Sequence, residues 1–304
     1  MSVHPAGWQS GHAAACKAVY AGSIPTSASK PWSPIHMATK SFHFVDDYRE
    51  LVRDMIARYP LAEAMSRAVG GHLTAVGQIE KRLLIGYGLR PEHTLVDVGC
   101  GPGRLAKQLI GYFTSGRLLA TDVVPEFVDY ARIGCPANWQ FAVVEDTRIP
   151  FAKDEADFAS FFSVFTHLLY EESFSYLIEA RRVVKPGGFI VFSFLEFEHN
   201  WQIFKDTVKA VRQRRPIVHL NMFIGRDAIE QWARRLGMSI IDIRTASDPF
   251  IELVEPVIYD DGKRSEDKVA FEQSVCVLRN DKVQHERRVL WDSFWESSPS
   301  PTDS

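Results

Sequence analysis

Three glycines within five positions, directly behind an apolar run, most constrain what this chain can fold into. The stretch "LVDVGCGPGR" (residues 95–104) holds one acidic residue, Asp97, ahead of Gly99, Gly101 and Gly103. Glycine at this density weakens a helix or a strand, so the pattern indicates a turn at which a ligand approaches the backbone closely. Such ligands are typically bound where a strand passes into a helix.

Short β-branched runs alternate with helical segments around this turn. The runs are "TLVDVG", "RLLATD", "WQFAVVE", "ADFASFF" and "FIVFSF", and helices are expected after Gly103, from Pro125 and over residues 171–184. This alternation predicts an α/β fold with a doubly wound, Rossmann-like parallel sheet. Later strands at 238–243 and 273–279 would complete seven strands, with one antiparallel hairpin at an edge. Ligands of such sheets bind outside the carboxyl ends of the strands.

The composition excludes several classes of protein. The net charge of −3 over 304 residues provides no overall attraction to nucleic acid or to anionic membranes, and no apolar run approaches the length of a membrane span. The cysteines form no CxxC pair, which argues against a disulfide framework or a metal site and indicates a reducing, cytoplasmic location. They are Cys16, Cys100, Cys135 and Cys276.

Both ends of the chain differ from its middle. Residues 1–36 contain no acidic residue and are rich in Ala, Ser, Gly and Pro, so we expect a disordered extension. A transit peptide would usually contain Arg, which this stretch lacks. The interpretation that we favour is translation from Met37, because "KAVYAGSIPTSASK" resembles the chance translation of a transfer RNA gene. Residues 281–304 are expected to form a C-terminal tail.

Helices are also expected on both sides of the sheet-forming region. Residues 37–90 should form N-terminal helices that cap the site, the first over 44–59 and another over about 73–87. The main domain should span residues 91–280. We expect its insertion, residues 197–224, to form a lid together with the first helix, because both can reach the carboxyl edge of the sheet.

The order Asp97-x-Gly99-x-Gly101-x-Gly103 resembles the first motif of the class I S-adenosylmethionine-dependent methyltransferases. The resemblance continues in "ATDVVPEFVDYA" with Asp122, in "VVEDTRIPF" with Asp146, and in "EARRVVKPGGFIVFS". It covers roughly residues 75–195.

The resemblance implies S-adenosylmethionine as cofactor. It places Asp97 near the amine of the methionine tail, Asp122 on the ribose hydroxyls and Asp146 on the adenine amino group. The remaining residues that it assigns to the cofactor are Gly99, Cys100, Gly101, Gly103, Arg104, Val123, Thr147 and Ser163.

Several of these residues have a simpler explanation. Asp122 could cap the helix that Pro125 opens, Asp146 could be a turn residue, and Cys100 could be a small filler between glycines. His167, in "VFTHL" after the fourth strand, is the catalytic candidate as a base or as a substrate contact, although a histidine there is often structural.

The acceptor of the methyl group must be recognised by the variable parts of the chain. "SVFT" stands where an Asn-Pro-Pro-aromatic tetrapeptide would indicate methylation of amino groups in nucleic acid or protein. We therefore expect a small-molecule acceptor that is acidic, a sugar or lipid-linked, and no nucleic-acid partner. The insertion is rich in basic residues, which could contact such an acceptor or simply form a solvated face: Lys205, Lys209, Arg212, Arg214 and Arg215.

Two other functions remain open. A catalytically silent cofactor-binding or partner protein could share the fold. A nicotinamide-dependent oxidoreductase is disfavoured, because Arg104 stands where the dinucleotide fingerprint requires its third glycine.

Overall fold

The computed structural model describes residue 42 and residues 45–214 and 221–282. The expectations for residues 1–36, for most of the C-terminal tail and for Arg215 lie outside these described residues.

A mixed seven-stranded sheet forms the centre of the molecule. Its strands are β1 (Thr94–Val98), β2 (Arg117–Asp122), β3 (Gln140–Val143), β4 (Ala156–Phe161), β5 (Val184–Phe194), β6 (Met238–Arg244) and β11 (Ser274–Asn280). Their order across the sheet is β3-β2-β1-β4-β5-β11-β6. β1 to β5 pair in parallel, whereas β11 pairs antiparallel with both β5 and β6, so the antiparallel pair lies at one edge as predicted.

Helices precede the sheet, connect its strands and form the insertion. They are α1 (Val45–Arg58), α2 (Leu61–Ala68), α3 (Leu73–Gly86), α4 (Arg104–Leu109), α5 (Pro125–Arg132), α6 (Tyr170–Val183), α7 (Trp201–Arg212) and α8 (Arg226–Leu236). None of these helices in the described ranges is both long and apolar enough to cross a bilayer.

Four short strands lie between β6 and β11 and form two small antiparallel pairs. They are β7 (Ile251–Glu252), β8 (Val257–Ile258), β9 (Arg264–Ser265) and β10 (Lys268–Val269). Ile251, Val257 and Val269 are buried and pack in the same apolar cluster as α3.

The helix α2 was not expected from the sequence. It is only eight residues long and lies between Pro60 and the Gly70-Gly71 pair, so its apolar periodicity is too short to stand out from a turn. β5 also begins earlier than predicted, at Val184, because Lys185-Pro186-Gly187-Gly188 continues the strand.

The core lies on both faces of the sheet. All five residues of β1 are buried, as expected for a central parallel strand that is covered on both sides. Phe161, Phe165 and Phe192 pack on one face, and Leu83, Leu105 and Phe158 belong to the cluster on the other. This packing presents the carboxyl ends of β1, β2 and β4 at one edge.

Candidate functional site

The glycine turn that follows β1 allows two close backbone approaches. Gly99 has a φ of +70°, and a Cβ there would lie 2.4 Å from Cγ2 of Val164 in the loop that leaves β4. Gly103 has a φ of +87°, and its Cβ would lie 2.9 Å from Cα of Ala131 in α5. A side chain at either position would therefore push apart elements that form the site.

A cavity of about 460 Å³ opens at the carboxyl ends of the parallel strands, a volume typical of ligand sites. Its walls include Tyr48 and Leu51 of α1 and Ile203 of α7. Nine of the predicted site residues line it: Asp97, Gly99, Cys100, Gly101, Arg104, Asp122, Val123, Ser163 and His167.

Two buried carboxylates form the polar part of the cavity floor. Burial raises the pKa of Asp97 to about 7, although the Ser160 hydroxyl, which donates to it at 2.7 Å, opposes that shift. Burial likewise raises the pKa of Asp122 to about 6, opposed by the backbone amides of Val124 and Gly101, which donate to its two oxygens. A ligand that carries a positive charge would stabilise both ionised forms.

The amides on Asp122 also show that it organises the floor. The amide of Val124 donates to it in a turn that precedes α5, but the N-cap of α5 has no side-chain hydrogen bond, so Asp122 does not cap that helix. The amide of Gly101 also donates to it, and this bond fixes the glycine turn. Each carboxylate oxygen has two lone pairs, so both oxygens can accept further bonds from a ligand.

A third buried carboxylate, Glu80 of α3, lines the cavity and was not predicted. Burial raises its pKa to about 8, against the opposing charge of Arg104, whose Nη1 lies 3.5 Å from Oε1 of Glu80. Arg104 donates through Nη2 to the carbonyl of Val69 at 2.6 Å. The sequence does contain a signal for this residue, because Glu80 is a carboxylate within the apolar stripe of α3.

Arg104 also carries an unused donor. Its Nε is buried and has no hydrogen-bond partner within the described part of the chain. An unpaired donor in a cavity wall is costly unless a ligand or water satisfies it. The floor thus offers carboxylates for a cation and a guanidinium for an anion.

Helix α1 is tied across the cavity to the strands. The Arg49 guanidinium donates to the carbonyl of Val123 at 2.6 Å and to Glu145, which follows β3, at 2.5 Å. The Tyr48 hydroxyl donates to the carbonyl of Ala68 at the end of α2, at 3.2 Å. The sequence predicts that α1 lies near the cavity, but it predicts neither the contacts of Arg49 nor the contact of Tyr48.

The loop that leaves β4 supplies the opposite wall. Ser163 adopts a left-handed φ of +58°, and its amide donates to the Ser193 hydroxyl at 2.7 Å. Ser193 in turn donates to Gln273, whose amide reaches the Ser163 hydroxyl at 3.0 Å. Gln273 lines the cavity and was not predicted, since it lies far away in the sequence, before β11.

His167 ends the one-turn 3₁₀ helix Phe165–His167 and lines this wall. The carbonyl of its neighbour Thr166 accepts a bond from the amide of Met222 at 2.8 Å. Asn221, which precedes Met222, lines the cavity and bonds Thr207 of α7 at 3.2 Å. The insertion is thereby connected to the turn that carries His167.

Three predicted site residues do not line the cavity: Gly103, Asp146 and Thr147. Gly103 contacts α5 instead. The Asp146 carboxylate is exposed and accepts the amide of Arg148 at 2.8 Å, which matches the turn interpretation. Its carbonyl accepts the hydroxyl of Tyr176, a cavity residue, at 3.1 Å. Binding by Asp146 and Thr147 stays a prediction.

The comparisons with known proteins match the region that contains this site. A family model described as "Methyltransferase domain" matches residues 96–192. The bifunctional biotin biosynthesis protein BioHC of Cellvibrio japonicus is 26% identical over 65% of this chain. The chain covers only 38% of that relative's length.

A second relative is closer to this chain in length. The malonyl-[acyl-carrier protein] O-methyltransferase of Hahella chejuensis is 26% identical over 66% of this chain and 71% of its own. Among solved structures, a chain of the "Complex between the Haloferax volcanii Trm112 methyltransferase activator and the putative methyltransferase" matches with a TM-score of 0.52. That match has 18% identity and covers 81% of this chain and 100% of the other, which supports the fold.

Proposed function

We propose that this chain, which carries a class I S-adenosylmethionine-dependent methyltransferase domain, transfers a methyl group to a hydroxyl of a small-molecule acceptor. The family predicted from the motifs is confirmed by the domain match. One observation carries the proposed activity: the glycine turn, the buried carboxylates and His167 line a single cavity.

The residues of the floor fit the cofactor that the family implies. Asp97 and Glu80 would hold the ammonium of its methionine tail, and the unsatisfied Nε of Arg104 would donate to the tail carboxylate. Asp122 has lone pairs left for the ribose diol. When bound, the cofactor supplies an electrophilic methyl group on a sulfonium.

The protein's remaining tasks are alignment and proton removal. The cavity walls would orient the acceptor oxygen toward the methyl group, and such alignment supplies much of the rate of a displacement. We assign His167 to accept the hydroxyl proton as the carbon–oxygen bond forms. The imidazole would hold that proton until the methylated product leaves.

A carboxylate acceptor is the second candidate, since one relative is named for O-methylation of malonyl-[acyl-carrier protein]. A carboxylate is ionised at neutral pH, so its methylation needs a cation for binding but no base. The described lining contains two arginines: Arg67 pairs with Glu63 at 2.8 Å, and the free Nε of Arg104 is already assigned to the tail carboxylate of the cofactor. This favours the hydroxyl.

The test is His167→Gln against His199→Gln, a histidine outside the described cavity lining. Transfer of a labelled methyl group is measured on a panel of phenols, sugars and dicarboxylic acid thioesters. On a hydroxyl acceptor, we expect His167→Gln to lose about 10²-fold or more in kcat. Its affinity for S-adenosylhomocysteine, the demethylated product, should not change.

Three other results would each support a different function. Turnover of thioester carboxylates alone, unaffected by His167→Gln, would support the carboxylate candidate. Tight binding of S-adenosylhomocysteine with no turnover of any acceptor would support a catalytically silent protein. A thermal shift with NAD and none with S-adenosylhomocysteine would support an oxidoreductase.

A further inference from the structure

Helix α7 differs from an ordinary surface helix because it buries none of its residues. Amphipathic helices of globular proteins normally cover their apolar stripe against a core. Here Trp201, Val208 and Val211 are 51%, 40% and 59% exposed. Phe197, just before the helix, is 52% exposed as well, although its ring stacks on Phe223 at 4.5 Å.

The apolar residues of α7 form one continuous stripe. At about 100° per residue, Trp201, Phe204, Val208 and Val211 fall within an arc of about 80°. The Phe204 ring lies 5.7 Å from that of Phe223 and 5.0 Å from that of Trp201, and these contacts hold the inner margin of the stripe. The outer margin faces solvent.

Basic side chains flank the stripe on one side only. Lys205, Lys209 and Arg212 occupy the adjoining arc of about 60° and are exposed. None of the three forms an ion pair with a carboxylate in the described ranges of the chain. The acidic residue of the helix, Asp206, lies beyond them and accepts the amide of Gln202 at 3.1 Å.

We propose that this surface, the α7 stripe with its basic margin, docks the protein on an anionic lipid surface. An exposed apolar stripe beside a row of cations is the arrangement of helices that lie in the plane of a membrane interface, with tryptophan at headgroup level. The net charge of −3 disfavours membrane attraction for the chain as a whole, so the attraction is local to this helix. An acidic protein partner would match the cations but would need an apolar groove of its own to cover the stripe, whereas the boundary between headgroups and acyl chains in any lipid layer provides that contact.

The position of α7 gives the docking a consequence for the reaction. Ile203, about 120° from the centre of the stripe, lines the cavity, and Thr207 holds the cavity residue Asn221. A docked α7 would therefore bring the cavity mouth close to the lipid headgroups. This consequence rests on the proposed function: the hydroxyl acceptor would belong to an amphiphile that stays in the lipid layer while it is methylated.

The experiment is co-sedimentation of the full chain with vesicles at about 0.15 M salt. One set of vesicles is pure phosphatidylcholine, and the other contains phosphatidylglycerol as about one third of the lipid. We expect binding to the anionic vesicles and much weaker binding to the neutral ones. Higher salt should release the protein.

Two variants and a matched control test whether the α7 stripe and its basic margin bind the vesicles. Lys205→Gln/Lys209→Gln should weaken binding by about fivefold for each charge removed. Val208→Ser/Val211→Ser should weaken it by about tenfold. The control, Arg234→Gln/Arg235→Gln on the exposed side of α8, removes the same charge and should bind like the unchanged protein.

Several outcomes would overturn the proposal. These are no binding to anionic vesicles, an equal loss in the α8 control, and binding to an acidic acyl carrier protein but not to vesicles. Self-association that is lost in Val208→Ser/Val211→Ser would assign the stripe to a second copy of the chain. Affinity for S-adenosylhomocysteine, measured in parallel, reports separately on the proposed function, because none of these residues is assigned to the cofactor.

Discussion

Helices α1 and α7 both border the cavity, yet they are held in opposite ways. α1 buries Val45 and Val52, and its Tyr48 packs edge-on against Phe127 with 5.8 Å between the ring centroids. Arg49 ties it to the strands through Val123 and Glu145. α7 buries no residue, and it meets the body of the protein through an aromatic cluster and the Thr207–Asn221 bond.

The two helices therefore form two different kinds of cavity wall. α1 belongs structurally to the part that we assign to the cofactor, so a change there should alter both stability and cofactor affinity. α7 contributes a side chain to the same cavity without contributing to the core. Because α7 adds little to the core, substitutions in it can change which acceptor binds while the free energy of unfolding changes little.

The largest effect is expected for the cavity floor, which is formed by neither α1 nor α7 and serves as the reference for both helices. Asp97→Asn should weaken binding of S-adenosylhomocysteine by about 10- to 100-fold at pH 8, because a buried charge-assisted hydrogen bond to the ammonium is lost. Isothermal titration calorimetry measures the affinity. A folded Asp97→Asn variant with unchanged affinity would remove this residue from the site.

The next effect is the pH dependence of that affinity. Since burial raises the pKa of Asp97 to about 7, its carboxyl is neutral in the ligand-free protein at acidic pH and ionised above neutrality. Cation binding requires the ionised carboxylates, and burial also raises the pKa of Glu80, which we assign to the same ammonium, to about 8, so affinity should stay level only above about pH 8. Below that pH, affinity should fall by up to about tenfold per pH unit for each carboxyl that titrates. Calorimetry from pH 5.5 to 8.5 should show a flatter profile in Asp97→Asn. An equal slope in both proteins would assign the titration elsewhere.

A smaller effect is expected on α1. Arg49→Met keeps much of the side-chain length but removes the donors to Val123 and Glu145. Because Val123 follows Asp122 directly, we expect affinity for S-adenosylhomocysteine to fall about three- to tenfold and the melting temperature to decrease by a few degrees. Calorimetry and thermal unfolding measure the two. Arg53→Met, which removes a more exposed pair with Glu126, serves as control. Identical behaviour of the two variants would mean that Arg49 does not organise the site.

The smallest effect is expected on α7. Val208→Ser/Val211→Ser should change affinity for S-adenosylhomocysteine by less than about twofold and leave the melting temperature nearly unchanged, since both side chains are already exposed. The same two measurements apply. A loss comparable to that of Arg49→Met would show that α7 is part of the cofactor wall and would remove the distinction between the helices.

The floor could be predicted from the sequence because its signals are local. Gly99 and Gly101 follow an apolar strand directly, and Asp97 and Asp122 each sit within a strand that ends at the cavity. In a parallel sheet those strand ends meet at one edge whatever the loops do. The walls were predicted only by location, because partners such as Arg49 and Glu145 are 96 residues apart.

The amino-acid sequence by itself determined the order along the chain of the seven strands of the main sheet, the glycine turn and the resemblance to methyltransferases. Each depends on periodicity or spacing within a few residues, which neighbouring backbone geometry enforces. Tertiary structure alone decided that Glu80 is buried beside Arg104, that Asp146 faces solvent, that Gln273 reaches Ser163, and that α7 leaves its apolar stripe uncovered. Such outcomes depend on which distant surfaces pack together, and burial then sets each side chain's charge, partners and accessibility.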